Sequence, residues 1–321
     1  MKSRFVSVTG ATGFLGRHIV DALLRGGWTV RAIVRPDSPN AAPEGADAVR
    51  APLEPAALTG ACSGSSLIVH AAGAVWAPNE RTLSAVNVDG TRAVVTAANA
   101  VGARVIAISS QAAIGPGTPE CPAREDDEPR PMTAYGRSKL AGEAVLRSDA
   151  RVPWTILRPC AVYGPGDRQF LPLLRLASRG IFPSLSLPAA AFTLIHVADL
   201  ARAVALAAES TDVDREALFI GHPDPQSADA FVRAAAAACG RMYRPLRVPR
   251  WALGIAARLG DGAGRFGKRF PLDSSRLREL EAGGFVCAVD RARDRLGFTA
   301  ATSLADGLAA TLRWYRDRRW L

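Results

Sequence analysis

No apolar run in these 321 residues approaches the roughly 18 to 20 needed to span a bilayer, so a membrane-spanning protein is not expected. Cysteine is sparse: Cys62, Cys121, Cys160, Cys239 and Cys287 are odd in number, scattered and without a CxxC pair. No secretory leader is expected ahead of Phe5. A disulfide scaffold and a zinc-held module are thereby excluded, no metal is expected, and a reducing cytoplasm is the expected location. Lysine is scarcer still, confined to Lys2, Lys139 and Lys268 among 40 basic residues. The net charge of +10 comes with no zinc finger, RNP strand or heptad-linked basic region, so the arginines read as a solvated surface, densest at Arg313, Arg316, Arg318 and Arg319. Nucleic acid is not an expected partner. What remains, 48% hydrophobic and 22% charged without internal repeats, is a chain with ample length to bury a core.

Short β-branched runs punctuate the first half. Residues 5–8 meet Thr9-Gly10, and after Gly13 and Gly16 an apolar helical period follows at Leu15, Ile19, Leu23 and Leu24. Further strands are predicted over 28–34, 67–70, 104–108, 154–157 and 217–220, with a helix over 86–100. Alternating strands and helices predict an α/β fold: a Rossmann doubly wound parallel sheet, with its ligand at the carboxyl ends of the strands. Beyond Gly164-Pro165-Gly166 prolines interrupt the rhythm, which predicts a smaller, mainly helical C-terminal substrate lobe. The expected division is a dinucleotide-binding domain over 1–164, joined again by 189–222, and a substrate-binding lobe over 165–188 and 223–321.

Three motifs carry chemistry. Gly10-Ala11-Thr12-Gly13-Phe14-Leu15-Gly16 joins a strand to a helix, so that backbone can approach a pyrophosphate and the helix N-terminus can receive it. At the end of the second strand an acid holds a free ribose 2′-hydroxyl, whereas a 2′-phosphate needs a cation; Arg35 stands there, which favours NADP(H), with NAD as the alternative. Tyr135 and Lys139 lie four apart, on one face of a helix, where an ammonium is expected to lower the phenol pKa toward the working pH. Ser109-Ser110 closes the strand over 104–108 and brings a hydroxyl to the ligand-bearing edge.

Together with HAAG at 70–73, NVDGT at 87–91, RPCAVYGPGD at 158–167 and IHVADLARA at 195–203, these motifs make the sequence resemble the extended short-chain dehydrogenase/reductase family over almost its whole length. The resemblance implies Ser110, Tyr135 and Lys139 as catalytic residues with Asn87 in support. It also implies that Ala71, Ala72 and Gly73, and the backbone at Pro159, Cys160 and Val162, border the cofactor alongside Gly10, Thr12, Gly13, Phe14, Leu15 and Gly16. Such enzymes move a hydride between a nicotinamide and a carbinol carbon.

Departures narrow the choice. Members that act on nucleotide-linked sugars carry an Asn before Val-Tyr-Gly and an Arg ahead of Ile-His-Val, where this sequence has Ala161 and Phe192. Ala51-Pro52 stands where the family has an adenine-contacting Asp. The pattern looks more like the branch of dihydroflavonol reductases and 3β-hydroxysteroid dehydrogenases, which implies a small-molecule, largely apolar substrate. Trp76, Phe170, Phe192 and Trp251 are the candidate substrate contacts, each with ordinary core packing as its alternative. His196 is expected to serve structurally, joining a strand to the helix after it. Two other functions stay open: a nucleotide-sugar epimerase or dehydratase that recycles its cofactor, and a dinucleotide sensor without catalysis. Oligomeric state is also open, a homodimer among the options.

Overall fold

The computed structural model describes residues 4–185, 191–265, 270 and 272–321. Lys2, Lys268 and the expected 188/189 boundary lie outside them. Seven strands form one sheet: β1 (Phe5–Thr9), β2 (Thr29–Val34), β3 (Asp47–Arg50), β4 (Leu67–His70), β5 (Arg104–Ile108), β6 (Trp154–Pro159) and β7 (Glu216–Ile220). All pair in parallel, in the order β7-β6-β5-β4-β1-β2-β3. The chain leaves β1 in both directions, so the switch point falls between β1 and β4, where Thr9 pairs with His70. This is the doubly wound Rossmann arrangement, and its ligand crevice lies at the carboxyl ends of those two strands.

A sheet covered on both faces needs apolar residues on both, and the strands supply them. Val6, Val8, Val69 and Ile106 join Ile19 and Leu23 of the helix Phe14–Arg25 and Leu200 and Val204 of the helix Val197–Glu209 in one core. Ile68, Val105 and Ile156 face a second core with Leu58, Val94 and Leu146, from the helices Pro55–Ala61, Gly90–Val101 and Ala134–Asp149. Each such side chain is fully or almost fully buried, so truncating one of the leucines or isoleucines to alanine costs about 2–5 kcal/mol.

The sequence gives no sign of β3. The stretch expected as one helix over 86–100 opens with a π-helical turn, Ala85–Asp89, before the α-helix Gly90–Val101. A third core gathers Tyr163, Leu174, Phe182, Phe231, Leu308, Leu312 and Tyr315, the last from the helix Leu304–Asp317. Three small sheets accompany it: Ala161–Tyr163 with Leu194–His196, Gln226–Ser227 and Gly284–Phe285 on either side of Ala191–Phe192, and Pro245–Val248 with Phe182–Leu185. No described helix is long and apolar enough to cross a membrane, and no three described His, Cys, Asp or Glu side chains group to hold a metal.

Candidate active site

The glycine turn sits at the carboxyl end of β1. Gly10 has φ +71°, and a Cβ there would lie 2.5 Å from the Ala72 nitrogen; a Cβ on Gly16 would lie 2.0 Å from the Gly10 carbonyl oxygen. Side chains at either position would push apart the turn, the helix and the loop after β4. The helix begins after Gly13 with no side-chain cap and no acid in its first turn, so its N–H groups and dipole are free to face an anion. These features fit a dinucleotide pyrophosphate, with Thr12, Phe14 and Leu15 in the turn and first helical residues.

Arg35 follows β2 and is exposed. Arg50, at the end of neighbouring β3, donates to the carbonyl oxygens of Arg35 (3.2 Å) and Pro36 (2.8 Å), which brings a second guanidinium to the same corner. Asp37, two residues further on, lies 3.9 Å from Arg35; both side chains are mostly exposed, which leaves the pair weak.

At β5 the two serines part company. The Ser109 hydroxyl turns inward and donates to buried Glu143 at 2.5 Å, while Ser110 hydrogen-bonds the Tyr135 phenol. Tyr135 and Lys139 stand on the helix Ala134–Asp149, capped by the Thr133 hydroxyl, which accepts from the Gly136 N–H at 3.1 Å. Two glycines let this helix sit flush against its neighbours: a Cβ on Gly136 would lie 2.3 Å from the Ala112 oxygen, and one on Gly142 would lie 2.7 Å from the Asn87 oxygen. The close seating brings the Lys139 ammonium to the end of β5, where it donates to the Ile108 carbonyl at 2.8 Å, beside Gly73.

Asn87 is the centre of the π-turn, a distortion frequent at functional sites. Its amide accepts from the Ala74 N–H (2.8 Å) and donates to the Ala74 oxygen (2.9 Å) and the Ser138 hydroxyl (2.8 Å). It therefore ties the loop after β4 to the Tyr135 helix. Beneath, His70 bridges Thr9 (2.8 Å) and Thr91 (3.2 Å). Burial, with the Lys139 charge nearby, pushes the His70 imidazole down to about 3.

The electrostatics correct one expectation. Burial pushes the Tyr135 phenol up to about 12; the Ser110 hydrogen bond opposes that rise and the Glu279 carboxylate adds to it. Lys139 is not among the groups that lower the phenol; its ammonium donates to the Ile108 carbonyl. Burial takes Lys139 itself down to about 8, against the opposing pull of Glu143. Glu143 is in turn held by Arg158 at 2.7 Å, with both side chains almost wholly buried.

Glu279, from the helix Ser274–Glu281, escaped the sequence reading, and so did Glu143 and Arg50. Glu279 is itself pushed up by burial, against Arg276 and a hydrogen bond with Thr133. Cys160 and Cys287, remote in sequence, lie with their sulfurs 3.0 Å apart. Pro159 ends β6, and Val162 packs against the core that lines β1.

The aromatic candidates separate. Trp76 is half-buried in the loop after β4, and Phe170 packs against Phe231 in the third core, ring centroids 4.9 Å apart and tilted by 33°. Phe192 pairs with Phe285 and Gln226, while the Ala161 N–H donates to Thr193 beside it at 3.3 Å, so the two apolar replacements are neighbours. Trp251 is 71% exposed on the helix Arg250–Arg265. His196 caps the helix Val197–Glu209, its Nδ1 accepting from the Ala198 N–H. A polar cleft of about 320 Å³, walled by Glu125, Arg147, Arg158 and Arg291 among others, includes none of the candidate catalytic, cofactor or substrate residues.

Against known proteins, the NAD dependent epimerase/dehydratase family matches residues 6–221. The chain is 32% identical to ceramide reductase of Caulobacter vibrioides (strain NA1000 / CB15N), over 98% of this chain and 96% of that protein. It is 26% identical to a decarboxylating sterol-4-alpha-carboxylate 3-dehydrogenase of Saccharomyces cerevisiae (strain ATCC 204508 / S288c), over 78% of this chain and 77% of the other. Among solved structures, MoeE5 in complex with UDP-glucuronic acid and NAD superposes with a TM-score of 0.76 at 28% identity, over 98% of this chain and 99% of that one.

Proposed function

Because the chain belongs to the NAD-dependent epimerase/dehydratase family, we propose that it is an NADP(H)-dependent oxidoreductase acting on a carbonyl or secondary alcohol of a largely apolar substrate. The observation that carries this reading is the meeting of Ser110, Tyr135 and Lys139 at the carboxyl end of β5, beside the glycine turn. When bound, the nicotinamide supplies or accepts the hydride. In the reductive direction Ser110 donates a hydrogen bond to the substrate oxygen, and Tyr135 delivers the proton as alkoxide character develops. A phenol held near 12 stays protonated throughout the physiological range and is still far more acidic than an alcohol, so the transfer runs downhill. Lys139 holds ribose hydroxyls through its ammonium. Asn87 is a positioning residue, since its three hydrogen bonds fix the loop at Ala74 against the helix that bears Tyr135.

Thr12, Gly13, Phe14 and Leu15 offer their backbone to the pyrophosphate, and Ala71, Ala72, Gly73, Pro159, Cys160 and Val162 border the nucleotide. Arg35, joined by Arg50, supports NADP(H), because two guanidiniums flank the corner where a 2′-phosphate would sit. We assign 165–188 and 223–321 to substrate binding, with Phe170 and Phe192 at its inner side and Trp76 across the loop after β4. Adjacent Ala161 and Phe192 leave a nucleotide diphosphate without an amide or a cation there, and the names of the Caulobacter and yeast relatives point to lipid substrates.

A second reading rests on the likeness to MoeE5 with UDP-glucuronic acid: an epimerase or dehydratase would use the same tyrosine and return its hydride internally. Incubation with free NADPH separates the two. The reductase reading expects net NADPH oxidation with apolar ketones and none with UDP-sugars, and a fall of about 10²–10⁴-fold in Tyr135→Phe with cofactor binding retained. Conversion of a UDP-sugar without net oxidation favours the second reading instead.

A further inference from the structure

A second concentration of arginine lies ahead of the C-terminal one. Residues 241–265 hold six arginines and a single acid, Asp261, and so carry half of the net +10 in less than a tenth of the chain. Arg241, Arg244, Arg247 and Arg258 are exposed and pair with no described carboxylate, whereas Arg250 is bound to Glu281 at 2.9 Å. Asp261 accepts from the backbone N–H and the hydroxyl of Ser274.

The same segment carries a run of bare apolar side chains. On the helix Arg250–Arg265, Trp251, Ile255 and Leu259 are 71%, 53% and 64% exposed. At about 100° per residue, a spacing of four repeated twice keeps them within an arc of about 80°. Leu253, Ala257 and Gly260, on the opposite side, are buried. The helix thus satisfies the protein with one face and leaves a second apolar face outside, with Arg258 at its edge. Just ahead of it, Met242 is 76% and Leu246 is 61% exposed.

We propose that this face docks on an anionic lipid bilayer, with Trp251, Ile255 and Leu259 entering the interface and Arg241, Arg244, Arg247 and Arg258 meeting lipid phosphates. An outward apolar stripe edged by unpaired arginines is the composition of an in-plane interfacial helix. A second copy of the chain is a poorer occupant, since a two-fold interface would set this arginine cluster against itself. Nucleic acid leaves the apolar stripe without a partner.

The docking does not depend on the reaction assigned to Tyr135, but it bears on that site. Helix Arg250–Arg265 rests on the next segment so closely that a Cβ on Gly260 would lie 2.0 Å from the Leu272 oxygen. From that segment Glu279 reaches Thr133, the cap of the Tyr135 helix. One helix therefore separates the docking face from the phenol, which suits a substrate drawn from the membrane.

The test is vesicle flotation of the full chain, cofactor-free and at low salt. Vesicles of equal parts phosphatidylglycerol and phosphatidylcholine are expected to carry the protein up, and pure phosphatidylcholine vesicles to leave it behind. Two double variants, Ile255→Ser with Leu259→Ser and Arg244→Glu with Arg247→Glu, are each expected to weaken binding at least about tenfold. Both keep the parent's thermal shift with NADPH, which reads folding independently of any substrate. Three results overturn the proposal: no flotation of the parent on anionic vesicles, equal flotation on both compositions, or full binding by either variant. Sedimentation velocity supplies a fourth, if the parent is a dimer that Ile255→Ser with Leu259→Ser dissociates while no vesicle binding is found.

Discussion

Replacing Lys139 by methionine is expected to make the cofactor-free protein more stable while destroying its function. The ammonium loses its proton near 8, against 10.5 in a free side chain, because burial disfavours the charge more than Glu143 restores it. At about 1.4 kcal/mol per unit, keeping the group charged at pH 7 costs up to about 3 kcal/mol of folding free energy. Methionine removes that cost and matches the length of the aliphatic stem, but it strips a donor from the Ile108 carbonyl, a loss of about 1 kcal/mol. The net expectation is a gain of about 1–2 kcal/mol at pH 7. The pH dependence sharpens the test. Between 8 and 10.5 the unfolded chain holds the lysine proton and the folded one has released it, so this group makes wild-type stability rise with pH. The advantage of Lys139→Met should therefore shrink from pH 8 upward. Tyr135 enters only above 10 with the opposite sign, since its folded phenol keeps a proton that the unfolded one loses. Urea midpoints at pH 7, 8 and 9, with unchanged slopes, measure the effect. A variant less stable than wild type at pH 7, or a difference that stays constant across the series, would refute the claim that a desolvated ammonium sits at this site.

Other outcomes follow from the same contacts. Arg35→Ala is expected to weaken NADPH binding about ten- to a hundredfold while changing NADH binding little, Arg50→Ala should do so to a smaller degree, and Asp37→Asn should strengthen NADPH; isothermal titration reads all three. Gly142→Ala forces a methyl to within 2.7 Å of the Asn87 oxygen, so it should cost about 1–3 kcal/mol by thermal unfolding and lower kcat, both through displacement of the π-turn. His70 stays neutral in the fold down to about 3 but charges near 6.5 when unfolded, so its stability contribution is present above 6.5 and is lost as pH falls toward 3. Denaturation at pH 7, 6 and 5 should show a slope from this group that steepens toward about 1.4 kcal/mol per pH unit below 6.5 and is missing in His70→Asn.

The sheet was readable where strands are buried on both faces, because such strands are unbroken apolar runs: β4 and β5 fall where expected. Edge strand β3 was not, since Asp47–Arg50 is short and largely exposed and has no apolar pattern to betray it. The glycine turn and the Tyr135–Lys139 spacing are local features, and local features survive in sequence. Which of Ser109 and Ser110 meets the phenol depends on the facing of side chains beyond the strand end, and Glu143 decides it by capturing Ser109. The direction of the phenol's shift is a similar case: spacing sets which groups share a helix face, but burial sets the direction. Glu279 and the Cys160–Cys287 contact come from chain crossings that no spacing rule reaches.

The most direct measurement follows deuterium from the 4-position of NADPH in the presence of an apolar ketone. The expected result is one deuterium in the product carbinol for each NADPH consumed, with incorporation falling by about 10²-fold or more in Tyr135→Phe. Stoichiometric recovery of labelled NADPH, together with conversion of a UDP-sugar by the same preparation, would contradict the assignment of a net carbonyl reductase.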